Sequence, residues 1–361
     1  METTKLSVMT ENKSTENKSS ENSSSENIAS QAKSERAALI TRGSGVEAVH
    51  CADIVVIDSA GEITHSLGDP KTVTFTRSSI KPIQALPLIA SGAADEFGLT
   101  EKEIAITCGS HNGSDEHRET ALSILSKAGN NSEFLQCGAH WPGEMRQEGE
   151  YPTQGEDKDP LRNNCSGKHS GFLALAKKLG DSPEDYLKPD SSTQVAVRDA
   201  LSDTMETDLS KAPSGIDGCS APNYAAPIYN LALGFLKIAT ASHGPMYRVA
   251  EAMRAYPEMV SGNKRFDLAL ARAFPGNVIN KVGAEALEAI GFREPEIAIV
   301  VKISDGGTRA LYAVCVEALR QIGLLEKADM SHLEKFIKPE IKNHRGIITG
   351  QVVVDFKLKT N

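Results

Sequence analysis

The stretch Asn164-Cys165-Ser166-Gly167-Lys168-His169 places a thiol and an amine three residues apart. Apolar residues at helical spacing follow it as far as Gly180, which predicts a helix that begins at this stretch. Cys165 and Lys168 then share one face of the first turn. Because a helix N-terminus lowers the pKa of a thiol and attracts anions, this turn is a candidate site for a thiolate, a metal or a substrate carboxylate. The alternative is a turn of small residues that lets a buried helix approach its neighbour.

Length, composition and charge limit the class of protein. A chain of 361 residues with 40% hydrophobic and 24% charged residues is typical of a globular protein with a sizeable core. Its formal net charge of −9 argues against nucleic acid or anionic membrane as a partner, since both are polyanions. We see no apolar run long enough to span a bilayer and no secretory signal pattern. The six cysteines are spread without close pairs. We therefore expect reduced thiols and a cytoplasmic location.

The composition divides the chain into a tail and one domain. Residues 1–36 are dominated by Ser, Asn, Glu, Lys and Thr, with near-repeats of Glu-Asn-Lys-Ser at 11–14 and 16–19. So few apolar residues cannot offset the entropy of ordering, and we predict a disordered tail. Residues 37–361 are predicted to form one domain. Within it, the polar and Gly-rich residues 141–163 are predicted to be a long loop over a site.

Hydrophobic periodicity predicts an intermixed order of strands and helices in the domain. Strands are predicted at 51–57, at a second segment ending near Leu67, and at 73–76, 104–107, 278–280, 297–303 and 350–358. Helices are predicted at 83–90, with a break at Pro87, and at 114–129, 226–239, 244–255, 264–274 and 310–322. No regular βαβ rhythm emerges. A mixed α/β (α+β) fold, with a mixed sheet and flanking helices, therefore fits better than a doubly wound fold.

Ser78 and Lys81 form an S-x-x-K pattern where a predicted strand runs into a predicted helix. Serine becomes a good nucleophile when a nearby base takes its proton, and a buried, neutral lysine one helical turn later can do so. The same spacing carries the nucleophile of penicillin-binding proteins. The alternative is an exposed helix start with a solvated lysine.

Two further residues are candidates for the same chemistry. Ser110 lies in a glycine-flanked loop that is predicted to follow a strand, where side chains are often presented to a cleft. Lys281 is a charge within an apolar stretch, as expected of a buried base with a lowered pKa. A turn serine that satisfies backbone groups and a lysine that extends from a strand end to solvent are the alternatives.

Cys165, Lys168 and Cys219 are candidate metal ligands. Two thiolates from separate elements suit zinc, and a fourth position left to water would make an open site. Lysine is an uncommon ligand because its amine must first lose a proton. The alternatives are free cysteines that act as small hydrophobic residues, and nearby histidines, among them His111 and His169, that serve as ligands or merely hold loops.

Taken together, six segments in this order resemble the Rhizobium-type L-asparaginases, also called the asparaginase II family or class 3 L-asparaginases. The segments are Arg77-Ser78-Ser79-Ile80-Lys81-Pro82, Cys108-Gly109-Ser110-His111, Asn164-Cys165-Ser166-Gly167-Lys168-His169, Asp217-Gly218-Cys219, Tyr256-Pro257-Glu258-Met259-Val260 and Asn280-Lys281-Val282-Gly283. The resemblance extends from about Ala37 to the end of the chain.

The resemblance implies a fold similar to serine β-lactamases and penicillin-binding proteins, a homodimer, and hydrolysis of L-asparagine to L-aspartate and ammonia. It implies two catalytic serine–lysine tandems, Ser78 with Lys81 and Ser110 with Lys281. It also implies that Cys165, Lys168 and Cys219 bind zinc with water as the fourth ligand. Arg77, His111 and Asp217 are predicted to contact or support the substrate.

Two readings compete with this assignment. One keeps the chemistry and changes the substrate to glutamine, another amide or a β-lactam, because one methylene gives only about 10–200-fold discrimination. The other is a zinc-binding protein without activity. The presence of both serines and both lysines argues against the second reading. Ser78 is predicted to be the nucleophile and Lys81 its base, while zinc is expected to orient the α-amino and α-carboxylate groups of the substrate.

Overall fold

A large antiparallel sheet runs through the computed structural model, which describes residues 33–143 and 158–361. Nine strands form it, in the order β10-β11-β1-β2-β9-β8-β7, with β3 pairing with β2 and β12 with β3. A second, three-stranded sheet has the order β4-β6-β5. The strands are β1 (Glu35–Arg42), β2 (Gly45–Ile57), β3 (Ile63–Leu67), β4 (Val73–Phe75), β5 (Ser214–Ile216), β6 (Pro222–Pro227), β7 (Val278–Gly283), β8 (Leu287–Phe292), β9 (Ile297–Ile303), β10 (Glu340–Lys342), β11 (Ile348–Val354) and β12 (Lys359–Thr360).

Helices cover both faces of the large sheet. They are α1 (Lys81–Gln84), α2 (Leu86–Ala90), α3 (Ala93–Glu96), α4 (Glu101–Thr107), α5 (Asp115–Lys127), α6 (Ser166–Leu179), α7 (Ser192–Met205), α8 (Ile228–Thr240), α9 (Gly244–Ala255), α10 (Pro257–Val260), α11 (Phe266–Ala273), α12 (Thr308–Gln321) and α13 (Glu334–Ile337). Short 3₁₀ helices are Arg77–Ile80, Ser132–Phe134, Pro160–Arg162, Leu324–Lys327 and Met330–His332.

The core has two parts because side chains alternate across the sheet. On β9, Ala298 and Val300 pack into the cluster formed with α4 to α9. Ile299 and Val301 pack into the opposite cluster, formed with α11 and α12. Both faces of the strand are therefore buried, which explains its nearly continuous apolar sequence. We call these clusters the first and second core clusters.

The predicted fold class is confirmed, since the chain folds as a mixed α/β protein with helices flanking a sheet. One detail is wrong: every strand pairing recorded in the described residues is antiparallel, so the sheet is not mixed. The break at Pro87 is confirmed, because the predicted helix 83–90 divides into α1 and α2 at Ala85.

The strand predicted at 104–107 is also wrong. These residues are the end of helix α4, which begins with a capping box at Thr100 and Glu103. The Thr100 hydroxyl accepts from the Glu103 N–H, and the Glu103 carboxylate accepts from the Thr100 N–H at 2.7 Å. These bonds satisfy free N–H groups at the helix start. A short apolar run cannot by itself distinguish a buried strand from a buried helix.

The boundaries of the remaining predicted regions fall partly within the described residues. Of the predicted tail, residues 1–32 lie outside them, while Glu35 and Arg36 already belong to β1. Of the predicted loop 141–163, residues 144–157 lie outside them, and the rest includes the 3₁₀ helix Pro160–Arg162. Among the described helices, none is both long enough and apolar enough to cross a bilayer.

Candidate active site

The junction between β4 and α1 positions Ser78 and Lys81. Arg77 opens the 3₁₀ helix there with a φ of 47°, a left-handed conformation that is strained for a side chain of its size. Asn223 holds it in place: its Oδ1 accepts from the Arg77 N–H at 3.1 Å, and its Nδ2 donates to the Arg77 carbonyl at 3.4 Å. The turn leaves Ser78 half-buried and buries Lys81.

The buried amine of Lys81 joins three segments of the chain. Lys81 Nζ donates to Ser110 Oγ at 2.9 Å and to the carbonyl of Gly109. It also lies 3.4 Å from the Asn164 carbonyl and 3.2 Å from Cys165 Sγ. The structure therefore brings together Lys81, Ser110 and the start of α6. Within the described part of the chain, no hydrogen bond joins Lys81 to the Ser78 hydroxyl or Lys281 to Ser110. The observed lysine–serine contact therefore joins the lysine of one predicted tandem to the serine of the other.

Ser110 lies in a loop after helix α4, not after the strand that its sequence predicts. Its N–H donates to the Val260 carbonyl at 2.8 Å, and its carbonyl accepts from Arg265 Nη1 at 2.9 Å. A Cβ added at Gly109 would lie 2.5 Å from the Met259 carbonyl oxygen, so only glycine permits this approach. These contacts fix Ser110 with 3% of its surface exposed.

Lys281 lies on β7, the edge strand of the large sheet, and is fully buried. Its Nζ donates to the Val282 carbonyl at 2.9 Å and lies 3.5 Å from Asp267 Oδ2. Burial lowers the pKa of Lys281 to about 8, the charge of Asp267 opposes that shift, and the charge of Lys81 adds to it. A substantial fraction of this amine is therefore neutral near pH 8, as a general base requires.

A cavity of about 470 Å³ lies beside the junction and contains two of the predicted substrate-binding residues. Arg77 Nε donates to Asp217 Oδ1 at 2.8 Å, and Arg77 Nη1 is 3.9 Å from Glu285 Oε1. The lining also includes Asn223 and Lys302. A guanidinium beside a carboxylate can bind the α-carboxylate and the α-ammonium of an amino acid.

His111, the third predicted substrate-binding residue, is buried and engaged with the protein. Its Nδ1 accepts from the Gly113 N–H at 3.2 Å, and its Nε2 lies 3.1 Å from Ser166 Oγ. Because Ser166 Oγ donates to the Leu161 carbonyl, we assign the ring proton to Nε2. Burial holds the pKa of His111 well below its usual range. The structure therefore places this neutral ring as a support between two loops.

The three predicted metal ligands lie together at the start of α6. Lys168 Nζ donates to Cys219 Sγ at 3.1 Å, and Cys165 is hydrogen-bonded to Cys219. That hydrogen bond and the charge of Lys168 lower the pKa of Cys219. The same bond, with burial, raises the pKa of Cys165. One negative sulfur and one ammonium therefore form a buried pair, and the second thiol stays protonated.

The donor atoms of this cluster fit a zinc ion. Thiolates and nitrogen donors are the ligands that zinc prefers. Burial lowers the pKa of the neighbouring His169 to about 4, so its imidazole is neutral, as a nitrogen ligand must be. Counting only His, Cys, Asp and Glu, no group of three that could hold a metal occurs within residues 33–143 and 158–361. A zinc site here therefore depends on the Lys168 amine as a ligand.

Sequence reasoning missed several residues at the site. Arg265 contacts the Ser110 carbonyl, and Asp267 contacts Lys281. Glu288 is a buried carboxyl on β8. The sequence could have identified Glu288, because it is a charged residue within the apolar segment Leu287–Phe292, which is the same pattern that identified Lys281 as a candidate. Arg265 and Asp267 follow a polar turn and carry no such signal.

Comparison with known families places the chain among the amidohydrolases, which are enzymes that cleave amides by addition of water. A model of the L-asparaginase II family matches residues 38–354, most of the chain. The chain belongs to the L-asparaginase II family, and the resemblance of its six segments is confirmed. No curated protein matches the sequence.

Several solved structures are similar to this one at low identity. A protein from Bacteroides dorei DSM 17855 described as a beta-lactamase is 9% identical, with a TM-score of 0.40, over 83% of this chain and 98% of its own. A beta-lactamase from Mycobacterium bovis is 13% identical, with a TM-score of 0.32, over 75% and 94%. EstCE1, a hydrolase with promiscuous acyltransferase activity, is 10% identical, with a TM-score of 0.33, over 79% and 92%. The family assignment rests on the family match.

Proposed function

We propose that the protein hydrolyses the side-chain amide of L-asparagine to L-aspartate and ammonia through a serine–lysine site. The observation that carries this proposal is the 2.9 Å contact between Lys81 Nζ and Ser110 Oγ in a buried site. In this contact Ser110 is the hydroxyl partner of Lys81, and Ser78, three residues before Lys81, is left as the hydroxyl that attacks. Lys281, with its lowered pKa, supplies a second amine that can be neutral at the working pH.

Arg77 and Asp217 are the groups that suit the ends of an amino-acid substrate. The α-carboxylate of the substrate binds the Arg77 guanidinium in place of Asp217. The α-ammonium of the substrate binds Asp217 in place of Arg77. Glu285 and Lys302 line the same cavity and add one charge of each sign. A small zwitterion satisfies more of these groups than a neutral amide does.

Ser78 is the proposed nucleophile because it is half-buried and adjoins Arg77, whereas Ser110 is almost fully enclosed. Ser78 Oγ forms a bond to the amide carbon, and the Lys81 amine accepts its proton. The C–N bond breaks as the nitrogen gains a proton and leaves as ammonia. Water then adds to the β-acyl ester and releases aspartate and Ser78. Ser110, hydrogen-bonded to Lys81, relays protons to and from that amine.

Zinc is proposed to bind Cys165, Lys168 and Cys219. When bound, it would act as a Lewis acid that holds a polar group of the substrate. The Cys165 thiol lies 3.2 Å from Lys81 Nζ, so the cluster adjoins the proposed base. The Lys168 ammonium and the Cys165 thiol would each have to lose a proton before their nitrogen and sulfur atoms could bind the metal.

Ammonia release from L-asparagine and from L-glutamine tests this function. The wild-type protein is compared with Ser78→Ala, with Ser110→Ala, and with Ser126→Ala as a matched control on α5. Ser126 is outside the site, and its hydroxyl donates to the Leu122 carbonyl one turn earlier in α5. We expect Ser78→Ala to lower kcat by about 10³-fold or more, since it removes the covalent route. We expect a smaller loss for Ser110→Ala and none for Ser126→Ala.

Three outcomes would contradict parts of the proposal. Near-normal turnover by Ser78→Ala, with a collapse in Ser110→Ala, would move the nucleophile to Ser110. Preferential release from glutamine would change the substrate. No release from either amide by folded, zinc-loaded protein would reject hydrolysis of both.

A further inference from the structure

Two buried carboxyl groups lie behind Lys281, and the proposed mechanism uses neither. Asp267 is on α11 with 3% of its surface exposed, and Glu288 is on β8 with 0% exposed. Phe266, next to Asp267, belongs to the second core cluster, and so does Ile290, which is two residues after Glu288 on the same face of β8. A buried ionised carboxylate is costly unless it is paired, so each of these groups needs a partner.

Asp267 is held at the free edge of the sheet. Because β7 is an edge strand, its outward N–H groups have no strand partner. Asp267 Oδ2 accepts from one of them, the Val282 N–H, at 3.3 Å, and the same oxygen lies 3.5 Å from Lys281 Nζ. One oxygen of this carboxyl therefore contacts both a backbone donor and an amine.

Glu288 approaches the same place from the neighbouring strand. It is directly opposite Val282 in the β7–β8 pairing, and its Oε1 accepts from Asn280 Nδ2 at 3.3 Å. Asp267 Oδ1 and Glu288 Oε2 are buried and have no hydrogen-bond partner among the described residues. A proton on one of the two carboxyl groups would leave a single buried negative charge in place of two.

The charges around the pair favour one proton on it. Lys281 is the cation in contact with Asp267, Arg265 acts on both Lys281 and Glu288, and Lys81 acts on Lys281. From α12, Tyr312 and Cys315 face it, and burial raises the pKa of both, so they stay neutral. Burial, and then the charge of Asp267, raise the pKa of Glu288 well above its usual range. Two carboxyl groups that cannot both ionise divide one proton between them.

We infer that Asp267 and Glu288 are positioning residues that together hold one proton and one negative charge behind Lys281. The proton is on Glu288 and the charge is on Asp267, next to the amine. This single charge sets the proton affinity of Lys281: without it the amine would be almost always neutral, and with two charges it would stay protonated. The inference rests on the proposed function only in taking Lys281 as a base.

The pH dependence of kcat/KM for asparagine tests the inference in two isosteric variants. Asp267→Asn removes the charge, so the Lys281 amine binds its proton less tightly. The acid limb should then move to lower pH by about one unit or more. Glu288→Gln replaces an already neutral group, so the limb should stay where it is in the wild type. Glu334→Gln, an exposed residue on α13, controls for the substitution itself.

A shift of the limb in Glu288→Gln equal to that in Asp267→Asn would overturn the inference, as would no shift in Asp267→Asn. A purely structural role would lower kcat or stability without moving the limb.

Carbon-13 NMR of the side-chain carboxyl groups in the wild-type protein gives an answer that needs neither activity nor a stable Asp267 variant. The Glu288 signal, assigned by its loss in Glu288→Gln, should have the chemical shift of a protonated acid at pH 7. An ionised Glu288 at that pH would overturn the inference even if asparagine is hydrolysed. A protonated Glu288 in a protein that hydrolyses no asparagine would reject the proposed function and leave the pair intact.

Discussion

Lys281 is fully buried on β7, and its pKa of about 8 lies well below that of a lysine in water. If the neutral amine is the active form, kcat/KM for asparagine should rise with pH through about 8, because deprotonation exposes the lone pair that accepts a proton. Initial rates of ammonia release over a pH series at low substrate concentration would measure this limb. A profile that is flat across that range would show that no group with this pKa controls the reaction.

Cys219 carries the negative charge of the thiol–amine cluster, and it is the residue whose loss should separate substrate binding from chemistry. We expect Cys219→Ser to lose zinc and to raise KM for asparagine by about tenfold or more, with a smaller change in kcat, because a serine hydroxyl is a poor zinc ligand. Metal analysis of the purified protein and steady-state kinetics would measure both. Cys51→Ser, at a half-buried thiol on β2, is the control. A collapse of kcat with KM unchanged would assign the cluster a chemical role.

At the scale of elements, the approach of α6 to α4 depends on Gly167. A Cβ at this position would lie 2.5 Å from the Ile106 carbonyl oxygen, which belongs to backbone and cannot move aside. We expect Gly167→Ala to lower the free energy of unfolding by about 1–3 kcal/mol, although alanine favours a helix, since α6 must shift away from α4. Urea unfolding would measure it. Gly45→Ala, whose new Cβ meets nothing closer than 3.7 Å, should be nearly neutral. Equal stability of the two variants would contradict this account of the packing.

The elements also show what the sequence could predict. The sequence could predict the close approach of α6 through its glycines and the break at Pro87. A glycine acts through its missing side chain, and a proline acts through its own backbone. The helical structure of residues 104–107 could not be predicted from hydrophobic periodicity, because the apolar residues of this part of α4 are buried on all sides and show no period. The Thr100–Glu103 capping box was the available signal. The Lys81–Ser110 contact depends on how the loop that carries Ser110 packs against the start of α1, and neither segment's sequence specifies that distance.

At the scale of the molecule, the homodimer remains a prediction. Ile216 on β5 is 84% exposed, and Phe75 on β4 is 40% exposed. Both line the cavity that contains Arg77 and Asp217. Exposed apolar side chains on a sheet edge are typical of a contact surface. Light scattering after size exclusion should therefore give twice the chain mass of 38.7 kDa, and Ile216→Asp should lower it, with Val46→Asp on β2 as the control. A wild-type mass of one chain would reject the dimer.

The large sheet joins the first and last strands that the structure describes, since β11 pairs with β1 and β12 with β3. During synthesis, β1 leaves the ribosome long before its second partner exists. At about 5–20 residues per second, roughly 15–60 seconds pass before residue 354 has been added. Throughout that interval one edge of β1 is unpaired and open to other chains. Nascent chains that stall before β11 should therefore be the form that chaperones bind, and the finished sheet can assemble only after β11 and β12 have been synthesised.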